Sequence, residues 1–220
     1  MKPRDHKKHS VVIVEDHPMF REHLVHLIDK ANDLHIVGEA DNIKEGFAVI
    51  KRLKPDVAIV DVSLKGSNGL ELLKDLRAHG IDVRVLMLSM HDESLYAERA
   101  LRAGARGYIT KHEASAKVMT AIRQVLAGEV YLNPRFMSLI MTKVMGGAGI
   151  STDPIQRLAD RELEVFELIG RGLTTREIGE QLHLGTTTVD TYKARIKEKL
   201  KLGNIAKLRS EASRWVQQHE

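Results

Sequence analysis

Glu15, Asp16, Asp61, Ser89 and Lys111 are far apart in this 220-residue chain, yet each sits just past a short apolar run, at 11–14, 57–60, 85–88 and 108–110. Three carboxylates gathered within several ångströms repel, so one takes a proton or a cation binds. Magnesium suits such a site, with manganese as the alternative. It is a hard cation that takes oxygen ligands, commonly one or two carboxylates with waters and a phosphate. Glu15, Asp16 and Asp61 are the candidate ligands, and a backbone carbonyl just past Asp61, that of Ser63, can complete the shell. Ser89 adds a hydroxyl donor and Lys111 a compact positive charge. A carboxylate nucleophile, a metal, a hydroxyl and an ammonium together form a set suited to phosphoryl transfer.

Such a set works only if the fold delivers all five side chains to one rim. Alternating patterns over the first 130 residues predict that it does. Strands are expected at 10–14, 34–38, 57–60, 83–88 and 108–110. Helices are expected from Pro18 to about 31, at 43–53 with Asn42 as cap, and at 69–79, 92–103 and 113–127. The run 57–61, Val-Ala-Ile-Val-Asp, is apolar enough for a strand buried on both faces. Five strand–helix units joined by short connections predict an α/β fold with a five-stranded, doubly wound parallel sheet. In such sheets chemistry lies outside the carboxyl ends of the strands, where the five residues would stand.

Composition changes near Asn133-Pro134. A helix is expected at 135–145, followed by the glycine-rich run 146–149, the best linker in the sequence. Helical periods follow at 160–171, 175–183, 187–201 and 204–218, a small all-α domain. The chain is 43% hydrophobic and 29% charged and has no cysteine, which excludes wholesale disorder, disulfides and thiolate metal sites. No apolar run reaches the roughly 18 residues of a membrane span, so a cytoplasmic protein without a membrane partner is expected. His23 and His26, three apart on the first helix, read as a solvated pair.

Charge is distributed unevenly. Residues 191–214 carry eight Lys or Arg against two acids, a net of +6, whereas 151–190 carry a net of −4. A basic end suits a polyanion. Leu182-His-Leu-Gly-Thr-Thr-Thr-Val189 reads as the turn of a helix-turn-helix. In the second helix Val189, Ile196 and Leu200 are expected in the core. Thr187, Asp190, Thr191, Ala194 and Lys197 fall on the opposite face. With Thr175, Arg176 and Lys193 they form the expected contact set for double-stranded DNA: small residues allow close approach and basic ones meet phosphates.

Glu15-Asp16, Asp61, Ser89 and Lys111, with Tyr108 three residues before the lysine and the turn Gly104-Ala-Arg-Gly107, resemble the receiver domain of bacterial two-component response regulators over residues 9–128. The resemblance implies a flavodoxin-like fold in which Asp61 accepts a phosphoryl group from a sensor histidine kinase. Asp16 would bind magnesium directly and Glu15 largely through water. Lys111 would pair with Asp61 and then with the phosphoryl oxygens. Ser89 would hydrogen-bond the phosphoryl group, and Tyr108 would change rotamer with it. Glu15 departs from the aspartate usual in the family. Residues 155–216 are similar to the LuxR/NarL-type DNA-binding domain on Leu158, Arg161-Glu162, Glu164-Val165, Gly172, Thr175, Glu177-Ile178, Leu182, Leu184, Thr188-Val189, Ile196 and Lys199-Leu200. Three departures stand out. Ala159 replaces the usual Thr or Ser cap, so Asp160 is expected to cap instead. Gly185 replaces a turn serine. Asp190 and Tyr192 replace a frequent lysine and histidine, and an acid at 190 can accept from cytosine N4.

The expected organisation is a basic tail (1–8), a receiver (9–130), a linker with a possible helix (131–154) and a helix-turn-helix domain (155–220). Expected partners are a histidine kinase, DNA, a second copy of the chain and the transcription machinery. The rival reading is a phosphotransfer protein or phosphatase-like enzyme whose helical domain binds protein. Phosphatases of the haloacid dehalogenase type carry a second acid two residues after the nucleophile, where this chain has Ser63. A flavodoxin-like flavin binder is disfavoured too, because Glu15-Asp16 would repel a flavin phosphate.

Overall fold

The computed structural model describes residues 8–90, 93–134, 136–138 and 154–219. Nearly all of the N-terminal tail, most of the expected helix at 135–145 and the glycine-rich run lie outside them. The chain divides into two compact units, 1–140 and 141–220.

The first unit alternates as its sequence predicts: β1 (His9–Val14), α1 (Pro18–Asp29), β2 (Leu34–Ala40), α2 (Ile43–Leu53), β3 (Val57–Asp61), α3 (Gly69–Ala78), β6 (Arg84–Ser89), α4 (Glu93–Ala103), β7 (Gly107–Thr110) and α5 (Lys111–Leu126). The expected loop after Asp61 instead holds a two-residue hairpin, β4 (Ser63–Leu64) with β5 (Ser67–Asn68), closed through Gly66 at φ +67°. Helix α5 starts two residues earlier than expected because Thr110, extended at φ −75° and ψ 147°, takes the N-cap position. Asn42 caps α2 as expected, accepting from the Glu45 N–H at 3.0 Å.

The sheet is parallel throughout, in the order β2-β1-β3-β6-β7. It is flavodoxin-like and doubly wound. Strand β3 is buried along its whole length, which explains its lack of polar residues before Asp61. On one face Val11, Ile13, Val57, Ile59, Leu86 and Leu88 pack with Leu24 and Ile28 of α1 and Val118 and Ile122 of α5.

The second unit is all-α. A 3₁₀ turn (Pro154–Arg157) leads into α6 (Asp160–Gly170), α7 (Thr175–Leu182), α8 (Thr186–Lys199) and α9 (Ile205–His219). Phe166 meets Trp215 edge-on at 5.9 Å. Gly170 lets α6 touch α9: a Cβ there would lie 2.4 Å from the Ala212 carbonyl oxygen. Two expectations need correction. Asp160 does not cap α6. Ala159 holds the N-cap position without a side-chain bond, and Glu162 supplies half of a capping box by accepting from the Ala159 N–H at 2.8 Å. Leu200 is the C-cap of α8 and only half-buried, because the helix ends as it leaves the core.

Candidate phosphoryl-transfer pocket and nucleic-acid face

Register alone assembles the pocket. Val14 pairs with Val60, Asp61 with Leu88, and Ser89 with Thr110. The residues at or just past these pairs (Glu15, Asp16, Asp61, Ser89 and Lys111) therefore share the carboxyl rim of adjacent strands, and all five are buried.

Lys111 is the counter-charge. Its Nζ lies 2.8 Å from Asp61 Oδ2 and 2.7 Å from Glu15 Oε2, with the Phe20 ring centroid 4.9 Å away. Burial and the neighbouring Glu15 push the Asp61 carboxyl up to about 8, while Lys111 and the Ser63 backbone N–H pull the other way. Burial works against the Lys111 ammonium, but Asp61 and Glu15 outweigh it and hold its pKa above the ordinary lysine value. Three buried carboxylates stand beside one ammonium, leaving an excess of negative charge.

That excess fits a divalent cation. Asp61 Oδ1 is buried and accepts no hydrogen bond, and the buried Asp16 Oδ1 faces the His17 ring nitrogen at 3.0 Å. Ligand atoms of Glu15, Asp16, His17 and Asp61 all lie within 4.8 Å of one another. Ser63 opens the hairpin, paired with Asn68, two residues beyond Asp61. Gly69 lets α3 reach the strand end: its N–H donates to the Val62 carbonyl at 2.7 Å, and a Cβ would sit 1.9 Å from the Asp61 carbonyl oxygen. Tyr108 is fully buried beside Met87, and its N–H donates to the Tyr131 carbonyl at 3.0 Å.

In the helical unit α7 and α8 form the expected helix-turn-helix. Its left-handed residue is His183, at φ 53°, whereas Gly185 is extended and N-caps α8. Gly179 allows the tight turn, since a Cβ would lie 2.7 Å from the Leu184 carbonyl oxygen. Arg161 ties the turn to α6, donating to the Leu182 carbonyl at 2.7 Å while pairing with Glu164 at 2.6 Å. Thr187, Asp190, Thr191 and Ala194 are exposed on one side of α8, with Lys197 half-buried. Arg176 is exposed on α7 and paired with Glu180 at 2.9 Å. Lys193 is set apart from the open face. It is buried, its Nζ donates to Thr175 Oγ1, and it lies 3.7 Å from Asp190.

A family model described as the response regulator receiver domain matches residues 11–123, and one described as bacterial regulatory proteins of the luxR family matches 156–212. The chain is a two-component response regulator of the NarL/LuxR type. The regulator is 35% identical over 191 residues to the DNA-binding transcriptional activator DevR/DosR of Mycobacterium tuberculosis, covering 87% of this chain and 88% of that one. It is 30% identical over 209 residues to the nitrate/nitrite response regulator protein NarL of Escherichia coli K12, covering 95% of both. A LuxR-family two-component response regulator from Aurantimonas superposes with a TM-score of 0.59 at 30% identity, over 63% of this chain and 99% of that one. RcsB of Salmonella enterica serovar Typhimurium, solved bound to a promoter, shares the fold with a TM-score of 0.61 at 23% identity, over 94% of this chain and 99% of that one. A phosphorylation-driven receiver is thus coupled to a LuxR-type DNA-binding domain, consistent with control of transcription. Among the described residues no helix is long and apolar enough to cross a membrane.

His17, Phe20 and Gly69 also belong to the regulator's pocket, beyond the residues expected from the sequence. A signal for His17 was available: Pro18 forces the preceding residue to be extended, which holds it at the strand end beside two acids. Phe20 and Gly69 gave none, because their roles depend on distances to Lys111 and Asp61.

Proposed function

We propose that Asp61 is the residue that accepts the phosphoryl group, from a sensor histidine kinase or a small phosphodonor. Asp61 Oδ1 supports this most directly. It is a buried carboxylate oxygen with no hydrogen-bond partner, while its twin Oδ2 is held by Lys111 at 2.8 Å. The held oxygen fixes the carboxylate's orientation, leaving Oδ1 to attack phosphorus. A magnesium or manganese ion, held by Asp16, Asp61, Glu15 and the Ser63 carbonyl, would offset the charge on the phosphoryl oxygens. Lys111 moves from the carboxylate to the incoming phosphoryl group. Ser89, buried at the tip of β6, hydrogen-bonds that group and draws the following loop inward, and Tyr108 follows.

The DNA-binding residues in this reading are Thr175, Arg176, Thr187, Asp190, Thr191, Lys193, Ala194 and Lys197. Lys193 acts in part by fixing Thr175, so α7 and α8 present one surface. Two copies bind two half-sites once phosphorylated. We set the boundaries at 9–130 for the receiver, 131–154 for the linker and 155–220 for the DNA-binding domain. Incubation with acetyl phosphate and Mg2+ followed by peptide mapping tests the acceptor. One phosphoryl group on the peptide containing Asp61, absent from Asp61→Asn, is expected. Modification elsewhere, or equal labelling of the variant, overturns the assignment.

A further inference from the structure

His17 is not needed to complete the carboxylate set, yet its ring lies inside it. Nδ1 is 2.9 Å from Glu15 Oε1 and 3.0 Å from Asp16 Oδ1, and the His17 backbone N–H donates to Glu15 Oε1 at 3.0 Å. The ring is held there by the backbone. His17 is the N-cap residue of α1, extended at φ −86° and ψ 107°, and Pro18 restricts it to that region. Its side chain makes no capping bond to the helix, so α1 does not account for the ring's orientation. The imidazole is 62% exposed, whereas the Glu15 and Asp16 side chains beside it are almost fully buried. The ring therefore stands at the solvent edge of the site.

We propose that His17 is a cation ligand that shifts the pocket's preference from magnesium toward first-row transition ions; this rests on the reading that the carboxylate cluster holds a divalent cation. Magnesium favours oxygen donors and keeps several waters, so an imidazole adds little to its binding. First-row divalent ions take an imidazole among oxygen ligands more favourably than magnesium does, the preference being weakest at manganese and rising toward copper. Nδ1 coordinates with the ring proton on Nε2, and one bound water is replaced by nitrogen. A purely structural His17 would donate to Glu15 and leave the ion with oxygens alone.

Manganese is both ligand and probe. The full-length protein is titrated separately with Mn2+ and Mg2+, and the Mn2+ complex is examined by pulsed electron paramagnetic resonance for nitrogen-14 coupling. The wild type should show a directly bound nitrogen. His17→Gln should lose it, with Mn2+ affinity falling on the order of tenfold and Mg2+ affinity changing less than about twofold. His17→Ala checks that glutamine has not substituted as a ligand, and an unchanged melting temperature shows that both variants fold. An all-oxygen Mn2+ site in the wild type, or nitrogen coupling that survives in both variants, overturns the assignment of His17. Failure of the wild type to bind either ion stoichiometrically overturns the underlying cation reading instead.

Discussion

At Asp61 the balance of charge is the controlling quantity. Burial and Glu15 raise its pKa to about 8, above the value it has in the unfolded chain. A carboxyl raised in this way contributes stability that is complete below the ordinary carboxylate range and is lost as pH rises through about 8. A divalent cation bound in the cluster would offset that loss by neutralising the ionised carboxylates. Mg2+ should therefore raise the receiver's melting temperature more at about pH 8.5 than at about pH 6. Equal increments at both values would mean that the carboxylates do not share the ion. Gly69 is the second residue on which the site depends. Gly69→Ala places a methyl 1.9 Å from the Asp61 carbonyl oxygen, so α3 and β3 must separate. A destabilisation of about 1–3 kcal/mol in urea unfolding is expected, together with slower phosphorylation. A variant as stable as the wild type would show that α3 does not hold the strand tip.

The elements themselves were largely legible in the sequence, because their signals are local. Apolar runs ending in Glu15, Asp61 and Ser89 mark strands, and Pro18 and Asn42 mark helix starts. At the start of α6 a local signal competes with context. Asp160 is a good capping residue by type, but the backbone places Ala159 at the N-cap and turns Asp160 inward as the first helical residue. In the turn His183 takes the left-handed position, and the register that buries Leu182 and Val189 leaves it as the residue that bends. Ala159→Ser should supply the missing cap bond to α6, adding about 0.5–1 kcal/mol to the stability of the helical domain by thermal denaturation. No gain would mean that the half box from Glu162 already satisfies the helix start. The pocket's members were legible because strand ends converge by rule. His17, Phe20 and Gly69 were not, since each matters only through a distance across elements.

In the whole molecule one domain carries the chemistry and the other the specificity. Phosphorylation adds about −1.5 to −2 charges at a buried point already rich in carboxylates. In the proposed switch Lys111, Ser89 and a bound cation would respond to that charge, and the response would have to reach the DNA-binding domain. In the proposed reading the exposed short side chains of α8, Thr187, Asp190, Thr191 and Ala194, would read bases, and the basic residues beyond them would contact phosphates. The most direct test is DNA affinity measured at fixed salt on a selected operator, before and after acetyl phosphate with Mg2+, for the wild type and for Asp61→Asn. The expected result is tighter binding by the phosphorylated wild type and no change in the variant. An equal response in both, or none in either, would contradict Asp61 as the switch that governs DNA binding.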